Sequence, residues 1–323
     1  MRNAVVFLLS AVLLLLAGSA WIALYPAVPE DLGGVDNLDG RAQAVRIPVG
    51  EDDHVDGWWL RGSHSATVLL FAGYARDHRR MWRYAQFLHR QGLTVLTVDF
   101  RSARQKGRKP TTLGYWELHD ARATLDWLRK RPGMSGVRVG LFGESLGGSV
   151  ALALAAERAD VAAVVADCPF ATGEMAIADG FRCVLRLPPS PLAQIARQVG
   201  RLVTGHDPGA LDVTQALRTL SARPVLLVQT RLGDRFSPTQ VDRLNAALGR
   251  GGESWTVDDV KHTQAWLVHR GEYELRVGRF LTTHLGLVPT GLAPRSAPGP
   301  RKGGAPIRTA AHEVAQPLEK KRP

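Results

Sequence analysis

Ser145 stands at the centre of Gly143-Glu144-Ser145-Leu146-Gly147, between an apolar run over 137–142 and an Ala/Leu-rich stretch over 146–156. A serine hydroxyl carried on a sharp strand-to-helix turn can attack an acyl carbon once a base takes its proton, and glycines on either side let the turn close. The same turn sets the Leu146 amide at a helix N-terminus, where it can hydrogen bond a developing oxyanion. In a chain with 33 glycines the pentapeptide alone says little. Its place after a buried-strand pattern and before a helical one is the context this chemistry requires.

The serine needs a base, and the base needs a third group to hold its tautomer. Asp234 follows a strand-like run ending at Gln229 and precedes a helical stretch from about Pro238; His262 follows the run 253–257 and precedes the closing helical stretch 273–281. Asp167, at the end of the run before, is the alternative acid, and His269 is a rival base in or beside the closing helix. Asp258 and Asp259 lie near His262 in sequence, but that proximity does not place a carboxylate behind the imidazole, so they read as solvated. Glu144 reads as a neighbour that shapes the site, and Trp58, Trp59, Trp82 and Trp116 as packing aromatics. No H-E-x-x-H, paired C-x-x-C or clustered carboxylate loop occurs, so no metal is indicated, and the chemistry calls for no cofactor.

The elements that must position these residues follow from periodicity. Stretches 43–49 and 55–61 alternate apolar and polar residues around an acidic turn, as a hairpin does. Runs 67–71, 93–98, 137–142, 161–166 and 225–228 are continuously apolar, which predicts strands buried on both faces of a parallel sheet. Met81, Ala85 and Leu88, then Leu118, Ala121, Leu125 and Leu128, recur at helical spacing, with Gly92 and Pro132-Gly133 as stops. Alternating strand and helix gives an open doubly wound sheet with helices on both faces. The alternation breaks over 171–222, where Pro188-Pro189-Ser190-Pro191 interrupts a helical stretch; this insertion reads as a lid over the C-terminal ends of the strands, the alternative being a plain structural connection.

Taken together, Leu70 to Tyr74, Val98 to Arg101, Thr111 to Glu117, Gly143 to Gly148, Asp167 to Phe170, Asp234 to Pro238 and Lys261 to Thr263 give the chain a specific resemblance over about 43–285. It resembles the α/β-hydrolase superfamily, more narrowly the lipase/esterase-like group called serine aminopeptidase-like or BEM46-like hydrolases. The resemblance implies an α/β-hydrolase fold with a helical lid, and Ser145 as nucleophile, His262 as general base and then acid, and Asp234 as orienting carboxylate, in the family's chain order. It also implies an oxyanion hole made by the amides of Leu146 and Tyr74. Two departures stand out: Ala72-Gly73 replaces the family's His-Gly, and the stretch from Gln229 to Gly233 is one residue longer than usual. The implied activity is hydrolysis of an ester, thioester or amide through an acyl-enzyme on Ser145, with a small acyl or lipid-like substrate. A non-catalytic binding protein on the same fold, and an acyltransferase or peptidase using the same triad, are the alternatives.

The two ends of the chain differ from this body. No charged residue occurs from Ala4 to Leu24, 21 positions, enough for a helix to cross a bilayer core. With Arg2 before it and Glu30, Asp31, Asp36 and Asp39 after it, this segment reads as a membrane anchor with the body outside the cytoplasm; a cleaved signal peptide, ending near Gly18-Ser19-Ala20, is the alternative. The expected organisation is an anchor over 1–25, a linker over 26–42, the hydrolase domain over 43–288 and a basic, disordered tail over 289–323. The net charge of +11 comes from 41 basic and 30 acidic residues scattered through the chain, a pattern that does not call for a specific nucleic acid partner. Cys168 and Cys183 are read equally as free thiols or, outside the cytoplasm, as a disulfide. The oligomeric state is not legible in the sequence.

Overall fold

Strands β1 (Gln43–Pro48) and β2 (His54–Leu60) alternate in burial and pair antiparallel, Gln43 opposite Trp59 and Pro48 opposite His54. They open a computed structural model that describes residues 7, 18, 21–29, 41–104, 107 and 109–287. In chain order there follow β3 (Ala66–Phe71), α1 (His78–Arg90), β4 (Thr94–Val98), a 3₁₀ turn (Arg101–Ala103), α2 (Tyr115–Arg129), β5 (Arg138–Glu144), α3 (Leu146–Glu157) and β6 (Val161–Asp167). The lid comes next as α4 (Gly173–Asp179) running into a π-helical turn (Gly180–Leu185), α5 (Leu192–Thr204) and α6 (Val213–Thr219). The chain then closes with β7 (Val225–Thr230), α7 (Pro238–Ala247), β8 (Gly252–Val257), the short α8 (Ala265–Val268) and α9 (Arg270–His284).

Strands β3, β4 and β7 are buried at every position, so they must be covered on both faces. The sheet order is β1-β2-β4-β3-β5-β6-β7-β8, antiparallel at the β1-β2 and β2-β4 pairs and parallel from β4 to β8. This is the α/β-hydrolase fold. Alternate residues feed two cores: Leu69, Phe71 and Leu141 pack with α2, α3 and α6, while Val68, Leu70 and Phe142 pack with α1 and α9. Because the chain steps outward from β3 to β4 and then returns to β5, the order reverses between β3 and β5, and loops at that switch diverge to leave a crevice. The pairing of Phe71 with Gly143 sets the loop after β3 beside the turn after β5.

The lid is tied down at two points. Thr172 and Asp212 bridge its ends, and the buried Asp179 accepts hydrogen bonds from Ser237 N and Oγ, both at 2.8 Å, and from Gln240 Nε2 at 2.7 Å. Helix α5 buries Ala193 and Gly200 but turns Ile195, Leu202 and Val203 outward, with Leu202 84% exposed. Against its Gly200 lies Leu24, which is buried, and the main-chain oxygens of Ala23 and Leu24 accept from Tyr74 Oη at 2.7 Å and Thr111 N at 2.8 Å. The rest of the expected anchor lies almost wholly outside the described residues, as does the tail over 289–323; among the described residues no helix is long and apolar enough to cross a membrane. Cys168 and Cys183 are both free thiols.

Two glycines of the turn are dictated by space. A Cβ on Gly143 would lie 2.1 Å from the Gly147 carbonyl oxygen, and one on Gly147 would lie 2.1 Å from that of Phe71. Backbone on both sides leaves nothing flexible to move. Gly143→Ala and Gly147→Ala are each expected to destabilise the fold by about 3 kcal/mol or more, read as a lowered denaturant midpoint, because overpacking against main chain cannot relax through a rotamer.

Candidate active site

Strand β5 ends at Glu144 and α3 begins at Leu146, leaving Ser145 as the single residue of the turn, at φ 54° and ψ −117°. A positive φ on a residue with a Cβ costs on the order of 1–3 kcal/mol and persists only where the surroundings hold it. They do so here: Ser145 N donates to the Asp167 carbonyl at 2.7 Å, and Ser149 N donates back to the Ser145 carbonyl at 3.0 Å. The Leu146 amide, first in its helix, has no preceding turn to bind. Gly73 passes so close that a Cβ there would sit 3.2 Å from the Ser145 Cβ, which brings the Tyr74 main chain to the same turn.

His262 meets the candidate nucleophile, its Nε2 lying 3.0 Å from Ser145 Oγ. Phe236 sets its ring edge-on to the imidazole at 4.8 Å between centroids. Asp234 is brought to His262, at its main chain. Its carboxylate accepts from the main-chain N of His262, at 3.1 and 3.3 Å, and makes no hydrogen bond to the ring. The loop after β7 lays this carboxylate along the backbone of the His262 loop. Asp167, the alternative acid, does not reach the ring either: its Oδ2 accepts from Tyr273 Oη at 2.7 Å and from Tyr84 Oη at 3.5 Å, and the Cys168 thiol lies beside its carboxyl. Burial, with the charge of Glu144, pushes the Asp167 carboxyl up to about 6. The rival base His269 faces Asp259 at 3.0 Å on the surface, so Asp259 is paired as well as solvated.

A buried polar cluster that the sequence reading did not find lies under the serine. Glu144 accepts from Arg80 Nε at 2.9 Å, Arg83 Nη2 at 2.9 Å and Tyr84 Oη at 2.8 Å. Burial would push the Glu144 carboxyl up, but Arg80 and Arg83 together outweigh it and hold the group below its ordinary range. Arg80 also reaches across to the base loop, donating from Nη2 to Thr263 Oγ1 at 3.1 Å and to the Thr263 carbonyl at 3.3 Å. Residues 80, 83 and 84 are three and four apart on α1 and so share a face, the one signal in the sequence that pointed to them. The expected tryptophans pack: Trp58 stacks on His78, Trp59 meets Trp127, and Trp116 lies under the Arg101 guanidinium.

Burial first, and the positive charge of Arg235 second, push the His262 imidazole from 6.5 down to about 3, against the pull of Glu144. The ring is therefore neutral at pH 7. A neutral imidazole beside a hydroxyl, with two main-chain amides at the same turn, is equipped for acyl transfer.

The family model described as X-Pro dipeptidyl-peptidase (S15 family) matches residues 54–229, more than half of the chain. An uncharacterized protein of Bacillus subtilis, YqkD, is 25% identical over 70% of this chain and 76% of its own length. An uncharacterized Mycobacterium tuberculosis protein is 29% identical over 73% of this chain and 80% of its own. Among solved structures, a Pyrococcus furiosus esterase superposes with a TM-score of 0.67 at 25% identity, covering 82% of this chain and 98% of that one. A proline iminopeptidase from Mycobacterium smegmatis superposes with a TM-score of 0.55 at 14% identity, a likeness of fold.

The imidazole's position fixes a pH dependence. The unfolded chain takes up this proton near 6.5 and the folded chain only near 3, so between those values the unfolded state holds more protons and the folded state loses stability as pH falls. Titration of His262 by NMR is expected to show it neutral well below pH 6, with Arg235→Gln raising its pKa. In His262→Gln the fall in unfolding free energy across that window is expected to be shallower.

Proposed function

The chain belongs to the X-Pro dipeptidyl-peptidase (S15) family and is a serine hydrolase of the α/β fold, and from that premise we propose that it cleaves carboxylic esters through an acyl-enzyme on Ser145. The observation that carries the reading is the 3.0 Å approach of His262 Nε2 to Ser145 Oγ on a residue held at positive φ. In the proposed reaction Oγ bonds to the acyl carbon as its proton passes to Nε2, and the carbonyl electrons move onto oxygen, which the Tyr74 and Leu146 amides receive. His262 returns the proton to the departing alcohol oxygen as the tetrahedral adduct collapses. Water then repeats the sequence, with His262 as base, and frees Ser145.

Asp234 is assigned to the base loop. A carboxylate that accepts from the His262 main-chain N fixes where the imidazole stands, and rotation of the same side chain onto Nδ1 would orient its tautomer when the imidazolium forms. An ester is favoured by the likeness to the esterase, which extends over nearly all of that chain. The family's description favours a second reading, cleavage of an amide after proline by the same groups. A binding protein without catalysis would have no need of a neutral imidazole kept on a strained serine.

We further propose that residues 4–24 anchor the domain to a membrane on its non-cytoplasmic side. The exposed Trp21 and Ile22 at the end of this segment, and the outward Leu202 and Val203 of α5, whose Gly200 lies against Leu24, support a face turned to lipid.

Labelling by a fluorophosphonate is expected for the parent protein and absent in Ser145→Ala, with p-nitrophenyl ester turnover reduced by about 10³-fold or more in Ser145→Ala and His262→Ala and by about 10²- to 10⁴-fold in Asp234→Asn. A folded protein that neither labels nor turns over esters would overturn the reading, and cleavage confined to X-Pro amides would select the second one. The full chain is expected in the membrane fraction and a chain lacking residues 1–20 in the supernatant.

A further inference from the structure

Arginines near the site are mostly engaged. Arg80 and Arg83 are held by Glu144, Arg79 by Asp77 and Arg182 by Asp179. Arg235 differs: among the described residues its half-buried guanidinium has no hydrogen bond or ion pair with any carboxylate. Two acids near it, Asp234 next to it in the chain and Asp179 brought to Ser237 by the fold, face elsewhere. Asp234 accepts from the His262 main chain, and Asp179 accepts from Ser237, Gln240 and Arg182. Taking a cation part-way out of water without a counterion is unfavourable, so this arrangement calls for a partner that arrives from outside.

Its position says where that partner lies. The guanidinium carbon stands 6.0 Å from the centroid of the Tyr74 ring, a cation-π seat that orients it without neutralising it. Tyr74 belongs to the loop packed on the Ser145 turn, and Arg235 is flanked by Asp234 and Phe236, which touch His262 at its main chain and at its ring. The cation therefore lies beside the Tyr74 ring and on the same short segment as the two residues that touch His262.

We infer that Arg235 receives an anionic group of the substrate, a carboxylate or a phosphate carried near the scissile ester. A planar fork of donors suits either oxyanion, and a charge-assisted hydrogen bond in such a place corresponds to about 10- to 100-fold in binding. The charge has a second consequence. Empty, Arg235 opposes the imidazolium that forms as Ser145 attacks; an anion on it removes that opposition, so the gain appears in kcat as well as in KM. Neutral esters lack both effects.

The inference rests on the esterase reading and is tested by matched pairs on one enzyme. p-Nitrophenyl hemiadipate is compared with p-nitrophenyl hexanoate, and hexanoyl glycerol phosphate with monohexanoylglycerol, at low salt and at a pH where His262 is neutral. For the parent protein the anionic member of at least one pair is expected to be favoured in kcat/KM by about 10-fold or more, the first pair marking a carboxylate on the acyl side and the second a phosphate on the alcohol side. In Arg235→Gln the ratio is expected to fall to near unity, and in Arg235→Lys to an intermediate value. The ratio is taken within each variant, so the amount of folded enzyme cancels. Equal rates within both pairs, or a preference that survives in Arg235→Gln, would overturn the inference while neutral ester turnover leaves the esterase reading standing. No turnover in either pair, together with no fluorophosphonate labelling, overturns both.

Discussion

The Glu144 carboxylate is the point on which the site depends. It is part of the turn that carries Ser145, it is buried, and a buried carboxylate is tolerated only when its charge is met. Arg80, Arg83 and Tyr84 meet it from one face of α1, so the turn is fastened to a helix on the opposite side of the sheet from α3. Removing one partner of such a cluster leaves the rest uncompensated, at a cost on the order of 3–5 kcal/mol. The strained φ of Ser145 is small beside that, which is why it persists.

Arg80 extends the same constraint to the base. Its guanidinium holds Glu144 on one side and Thr263, the residue after His262, on the other. Ser145 and His262 come from segments 117 residues apart, yet both are referred to one cation. The cluster also sets charge. Burial, with the charge of Glu144, raises the Asp167 carboxyl to about 6, while burial, with the charges of Arg235 and Arg80, keeps His262 neutral. Asp167 supports the turn through its carbonyl and accepts from Tyr273 through its carboxyl.

Much of this was legible in the sequence because it is local or periodic. Apolar runs gave the strands, helical spacing gave α1 and α2, and glycines on either side of Ser145 gave the turn. Asp234 was legible as to loop and not as to contact, since which atoms of His262 its carboxylate meets depends on how two loops from different strands lie together. The cluster around Glu144 left only a faint trace, three residues on one helical face, because a single buried acid looks like any other glutamate until its partners are brought to it.

What the sequence determined by itself was the mostly parallel sheet, its crossovers, the strand-to-helix turn and Ser145 and His262 as the candidate nucleophile and base, for all of these follow from patterns within a few neighbouring residues and from the order of the elements along the chain. Only the tertiary structure decided which acid faces what, which arginines are neutralised and which one is left open beside Tyr74. Those outcomes depend on distances of a few ångströms between segments far apart in the chain, and charge interactions at that range are fixed by packing geometry.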